Sequence, residues 1–248
     1  MSSSAGLIDL VASAPIPHVW VQTLGTLSVC GGAGVGEWKG GGLGKPQLKA
    51  MLSYLITYPN RWMHWTTLAA IGSPRSDDLK RPRNLFAGLQ QLLNRWGLKP
   101  AIRVVDGLIR LTTHQLWTRD VDLLQQYANS AARHHATGET EAELVALRRA
   151  ADLCGGLYLP QYDHAEFGII EVQQYWEHVQ RDIIHQCVTL LYTQHQFFTA
   201  LEVAEKLPLL SDQTEAEDDL LLAKLYDALR QPNVAHHYRQ RAREKMNP

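Results

Sequence analysis

The segment Arg81–Thr113, RPRNLFAGLQQLLNRWGLKPAIRVVDGLIRLTT, divides into a helix, a stop and a hairpin. Pro82 suits a first helical turn, where its missing N–H is no loss, and Gly97 suits the residue just past a helix end. Leu85, Leu89, Leu92 and Trp96 recur at helical spacing and predict one buried face over 82–96. The opposite face carries Asn84, Ala87, Gln91 and Asn94, flanked by Arg83, Gly88, Gln90 and Arg95. IRVV and LIRL then alternate around Asp106-Gly107, which predicts a two-residue hairpin over 102–113.

A polar helix face beside a hairpin with arginine on both arms is how a winged helix meets DNA. Asn and Gln can bond an adenine edge through both amide atoms, and small Ala87 and Gly88 would let the backbone come close. Lys80, Arg81 and Arg83 at the helix start would hold phosphates. Arg103 and Arg110 would hold the neighbouring backbone or enter the minor groove.

The charge distribution runs the same way. The 248 residues carry 24 Lys and Arg against 25 Asp and Glu, a net charge of −1. Residues 1–117 hold 12 of those bases and only 5 of the acids, a charge of +7, which leaves −8 for the remainder. A basic half joined to an acidic half fits nucleic acid on one side and protein or solvent on the other.

Upstream of the opening segment, VWVQTLGTLSVC (19–30) reads as strands with a turn at Gly25. Residues 1–17 read as a flexible N-terminal tail without the basic start of a signal peptide. GGAGVGEWKGGGLGK does not fit a phosphate loop, because the spacing fails and Pro46 stands where Ser or Thr would hold magnesium; turns between short strands are expected. KPQLKAMLSYLITY predicts a helix with Leu48, Met51, Leu52, Leu55 and Ile56 inward, broken at Pro59-Asn60. A short strand or turn and a helix from about Trp65 follow, then a turn over Ser73–Asp78.

From Val121 the pattern is helical throughout. A helix pair turns at Gly138, GLYLPQYD connects, and one long helix or two abutting ones lead to three further helical segments. Leu191-Tyr192 and Leu225-Tyr226 lie 34 residues apart, as do Ala200 and Val234, which matches the tetratricopeptide period. EAEDD (215–219) is expected to be a solvated helix start. Trp117, Tyr158, Tyr162, Phe167 and Trp176 read as an inter-domain and core cluster or, in the smaller alternative, as a partner-binding surface.

Catalytic and metal chemistry find little footing. The histidine pairs 134–135 and 236–237 diverge on a helix surface, and His178 and His185 lack a ligand set with Glu177 and Asp182. No nucleophile–base motif occurs. Cys30, Cys154 and Cys187 are odd in number and far apart, as expected of reduced thiols in a cytoplasmic protein. No apolar run is long enough to span a membrane. The expectation is no enzyme, no metal and no cofactor.

The series GKPQLKAMLSYLITYPNR, RNLFAGLQQLLNR, GLIRLTT, TRDVDLLQQYA and GGLYLPQYDHAEF resembles, in that order, the SARP-type bacterial regulators. Such proteins join an OmpR-like winged-helix domain to a bacterial transcriptional activation domain. The resemblance implies an α+β N-terminal winged helix over 18–118 and an all-α tetratricopeptide-like domain over 119–248. It implies double-stranded DNA as partner of the first, and RNA polymerase, another protein or a second copy in a homodimer as partner of the second. The DNA-contact set would be Lys80, Arg81, Arg83, Asn84, Ala87, Gln90, Gln91, Asn94, Arg95, Arg103 and Arg110; the partner set would be Tyr158, Tyr162, Phe167 and Trp176. Where relatives carry arginines on the recognition helix, this chain has Phe86, Gln91, Leu93 and Asn94. His64 and Trp65 replace a Ser cap and an Arg, and Gly72-Ser73 stands where a Trp is usual. A scaffold that keeps the fold and has lost base readout is therefore the alternative.

Overall fold

The computed structural model describes residues 19–31, 34–35, 45–72, 80–95, 102–112, 117–160, 162, 168–211 and 215–246. The tail 1–17, most of the glycine-rich stretch, the turn 73–78, Trp96, Gly97 and Phe167 lie outside them. The chain forms two compact units, Met1–Arg119 with Gln161–Ile170, and Asp120–Pro160 with Glu171–Pro248. The described residues are mostly helical, with small sheets in the first unit.

In the first unit, β1 (Val19–Gln22) and β2 (Ser28–Gly31) pair antiparallel around Gly25, whose φ of 90° needs a residue without Cβ. β3 (Gly34–Val35) extends one side, and β7 (Trp117–Arg119) lies parallel to β1 on the other. A parallel partner requires a long crossover. Here the crossover contains helices α1 (Lys45–Thr57), α2 (Trp65–Gly72) and α3 (Lys80–Arg95), and a second sheet ordered β4-β6-β5. Its strands are β4 (Met63–His64), β5 (Ile102–Val105) and β6 (Leu108–Leu111).

The three helices pack on one another and bury Met51, Leu52, Leu55, Ile56, Leu68, Ile71, Leu89, Leu92 and Leu93. Each such side chain contributes roughly 1.5–3 kcal/mol by leaving water. Asn60 reverses the chain after α1 in the left-handed region (φ 61°), and its N–H reaches the Leu111 carbonyl at 2.9 Å. The Arg119 guanidinium donates to the Ile56 carbonyl at 2.7 Å and satisfies the α1 C-terminus.

The second unit is helical: α4 (Asp120–Thr137), α5 (Thr140–Leu153), α6 (Ile169–Thr193), α7 (Phe197–Ala204), α8 (Ala216–Ala228) and α9 (Pro232–Met246). Three helix pairs turn the same way. Gly138, His195 and Arg230 take positive φ, and in each case the next N–H reaches back five residues, to His134, Leu191 and Tyr226. This is the Schellman closure, and glycine is its usual residue. His195 and Arg230 are 35 positions apart, so Leu191 is equivalent to Tyr226 and not to Leu225. Buried Ala200 matches buried Ala235 rather than half-buried Val234. The expected offset of 34 is thus corrected by one.

EAEDD also departs from expectation. Asp218 and Asp219 are fully buried, and only the flanking Glu215 and Glu217 face outward. Asp218 accepts from Arg181 and, at 2.8 Å, from His185, and it caps α8 by accepting the Glu215 N–H at 3.1 Å. Arg181, itself buried, also pairs with Glu177 at 2.8 Å and Glu215 at 3.3 Å. Burial pulls the Asp218 carboxyl upward; the His185 bond, the Glu215 N–H and the Arg181 charge outweigh it and hold the carboxyl below its ordinary range. Asp219 faces the other way, to Lys245 and Arg241 on α9. Two adjacent carboxylates thereby tie α8 to α6 and to α9.

The cysteines are free. Burial pushes the Cys154 thiol up to about 12 and the Cys187 thiol to about 11, so neither offers a thiolate at neutral pH. The folded protein at pH 8 is expected to yield one fast equivalent with a thiol reagent, from half-buried Cys30, and three after denaturation. Two or three fast equivalents in the folded state would contradict this packing.

Candidate nucleic-acid interface

Helix α3 starts at Lys80, two residues before the expected start, and its exposed stripe is the expected one: Asn84, Ala87, Gln91 and Asn94, with Arg83 also exposed and Gln90 half-buried. Lys80 and Arg81 lie in the first turn and Arg95 ends the helix. No acid occupies the first turn. Three bases therefore share the positive end of the helix dipole, an arrangement unfavourable to the isolated helix.

Other residues of α3 face inward. Leu93 is buried, and half-buried Phe86 packs edge-on against Trp65 of α2, ring centroids 5.3 Å apart. Two of the four positions at which the resemblance implies arginine, Phe86 and Leu93, therefore pack inward here. Gly88 is also corrected: a Cβ there would meet the Leu48 methyls at 3.8 and 3.9 Å, so its flank faces α1 rather than a ligand. That is ordinary van der Waals contact in a helix interior. Gly88→Ala is expected to raise stability by about 0.5–1 kcal/mol in urea unfolding, through lower chain entropy in the unfolded state. A loss of stability would mean that α1 and α3 tolerate no extra carbon.

The hairpin closes at Asp106 and Gly107, φ 48° and 77°, the two positive values that a twisted two-residue turn requires. Its turn is tied to α2 by the Trp65 N–H, 2.9 Å from the Gly107 carbonyl. His64 precedes α2 and accepts from the Thr66 N–H at 3.4 Å, with Thr66 Oγ1 2.8 Å from the same Nδ1. The alternation holds at Ile102, Ile109 and Leu111, which are buried. It fails at Val104, which is 52% exposed although it pairs with buried Ile109; Val105 and Leu108 are exposed with it. Arg103 and Arg110 are cross-strand partners, one exposed and the other half-buried. The Arg110 guanidinium lies 4.5 Å from the ring centre of Trp62, a residue that no sequence pattern singles out.

Of the expected partner set, Phe167 lies outside the described residues and the other three are buried or half-buried. Tyr158 and Tyr162 are buried, and burial lifts the Tyr162 hydroxyl to about 12 against the lowering effect of a bond with Ser53. Trp176 is half-buried beside exposed Tyr175, whose hydroxyl lies 3.3 Å from Gln125 Oε1. Among the described residues no cluster of His, Cys, Asp and Glu could hold a metal ion. No helix among them is long and apolar enough to cross a membrane.

An α+β unit with an exposed helix face and a β-hairpin, together with a helical unit, is the fold class the chain presents. It is similar to a solved structure of Mycobacterium tuberculosis EmbR in complex with a low affinity phosphopeptide, with TM-score 0.67 and 15% sequence identity over 92% of this chain. This chain spans 59% of the length of that one. At such identity the likeness establishes the fold. No protein-family model and no curated protein matches the chain.

Proposed function

We propose that the chain is a sequence-specific DNA-binding transcriptional regulator of the SARP type. Residues 18–118 are its winged-helix domain, with α3 in the major groove and the β5–β6 hairpin as wing. Residues 119–248 form a tetratricopeptide-like module for self-association or for contact with RNA polymerase or another protein. The carrying observation is the start of α3, which holds Lys80, Arg81 and Arg83 and no acid in its first turn, beside a stripe of three neutral amides. Phosphates at the helix start relieve the repulsion there, and the amides read base edges. The fold shared with EmbR supports a regulator rather than an enzyme. Selection from a random duplex library at low salt, followed by a mobility shift, tests this reading. Recovery of a consensus sequence is expected; no retained duplex at micromolar protein sinks it.

A second reading rests on the exposed apolar tip formed by Val104, Val105 and Leu108. A wing with that tip suits a protein surface, and the chain is then a scaffold with the same fold. A stable protein complex formed without DNA favours it.

A further inference from the structure

We propose that Arg103 and Arg110 together form one phosphate site, filled by a single backbone phosphodiester of duplex DNA, and that Trp62 is its positioning residue. The inference deepens the DNA-binding reading above and rests on it for the source of the phosphate.

The strand register sets up the site. Arg103 pairs with Arg110 across the hairpin. Met63 pairs with Ile109, which sets Trp62 beside Arg110 in the same cross-strand row. Like charges directly opposite on a sheet repel, and among the described residues neither guanidinium has a carboxylate partner. Arg110 Nε is also buried with no hydrogen-bond partner. Two cross-strand cations, one with an unanswered donor, suit an anion that bridges them.

Trp62 gives this pair its geometry. Its ring is exposed, and it stacks with the Arg110 guanidinium. A guanidinium held over an indole face keeps its edge N–H groups free to donate to an anion. Two guanidinium forks carried on paired strand positions can converge on the tetrahedral oxygens of one phosphate. The hairpin turn is tied to the start of α2 by the Trp65 N–H on the Gly107 carbonyl.

One shared phosphate and two separate phosphates differ in their salt dependence. Removing the protein's hold on one phosphate lowers the slope of log K against log salt by about 0.9. With a labelled duplex, Arg103→Ala and Arg110→Ala are each expected to lower the slope by about 0.9, and the double variant by no more than either alone. Trp62→Ala is expected to match Arg110→Ala, and Trp62→Phe, which keeps a stacking face, to restore the wild-type slope. A double variant whose slope falls by about 1.8, twice the value for one phosphate, or a Trp62→Ala protein with unchanged slope, overturns the proposal. Arg103→Ala, on an exposed strand position, keeps the test sound if Trp62→Ala does not fold. If the wild type binds no duplex, the same site is read by titrating inorganic phosphate and following the arginine Nε–H resonances. A shift of the Arg110 resonance that vanishes in Arg103→Ala would retain the phosphate site while the DNA reading falls; no shift in the wild type overturns both.

Discussion

Asp218→Asn is expected to cost the helical unit about 3–5 kcal/mol, the penalty for taking from a buried cation the fully buried carboxylate it pairs with. Arg181 is buried against α8, and its remaining partners Glu177 and Glu215 are more exposed than Asp218. The amide also removes the charge that His185 meets. Replacing both members together, Arg181→Met with Asp218→Leu, is expected to cost far less, because no uncompensated charge remains. The pH dependence provides a second readout. Because the folded carboxyl titrates below its ordinary value, its stabilisation is complete above the unfolded carboxylate value near pH 4 and is lost as pH falls further. Asp218→Asn should therefore show a flatter acid limb in urea unfolding followed by circular dichroism. A loss under about 1 kcal/mol with an unchanged acid limb would remove the network from any stabilising role.

The reason EAEDD misleads as sequence is distance. Its cations stand far away along the chain, at Arg181 and His185 on one side and Arg241 and Lys245 on the other. Local chemistry reads five residues with four acids as solvated, and only tertiary packing reveals the partners. The turns show the same contrast. Gly138 announces its turn, whereas His195 and Arg230 adopt the same conformation without a residue type that signals it, so the repeat offset is misjudged by one. Helix α3 is legible because an apolar period of 3.6 is a property of the helix alone. Its flanks are not: Gly88 and Leu93 are assigned by α1 and the rest of the core, which periodicity cannot name. The hairpin is legible from Asp106-Gly107, but what covers each face is not, and so the alternation places Val104 with buried Ile102 although it is exposed. Trp62 escapes notice because its contact with Arg110 depends on the register between β4 and β6.

Asn94→Arg is expected to change which duplex the protein selects. Asn94 is exposed on the same stripe as Asn84 and Gln91. An amide there bonds an adenine edge through one donor and one acceptor; a guanidinium offers donors only and matches the two acceptors of guanine. Each correct bidentate pair discriminates by about 1–3 kcal/mol, which corresponds to roughly 5- to 150-fold in relative affinity. Selection with the variant is therefore expected to return adenine replaced by guanine at one position, with the rest of the consensus retained. Asn94→Ala should lose preference at that position while the salt slope stays as in the wild type, because a neutral side chain releases no counterions. Arg83→Ala should do the reverse, weakening all duplexes alike and lowering the slope by about 0.9. The two variants thus separate base reading from backbone holding on one helix. Were Asn94→Arg to select the wild-type consensus unchanged, α3 would not lie in the major groove, and its amide stripe would be a solvated face.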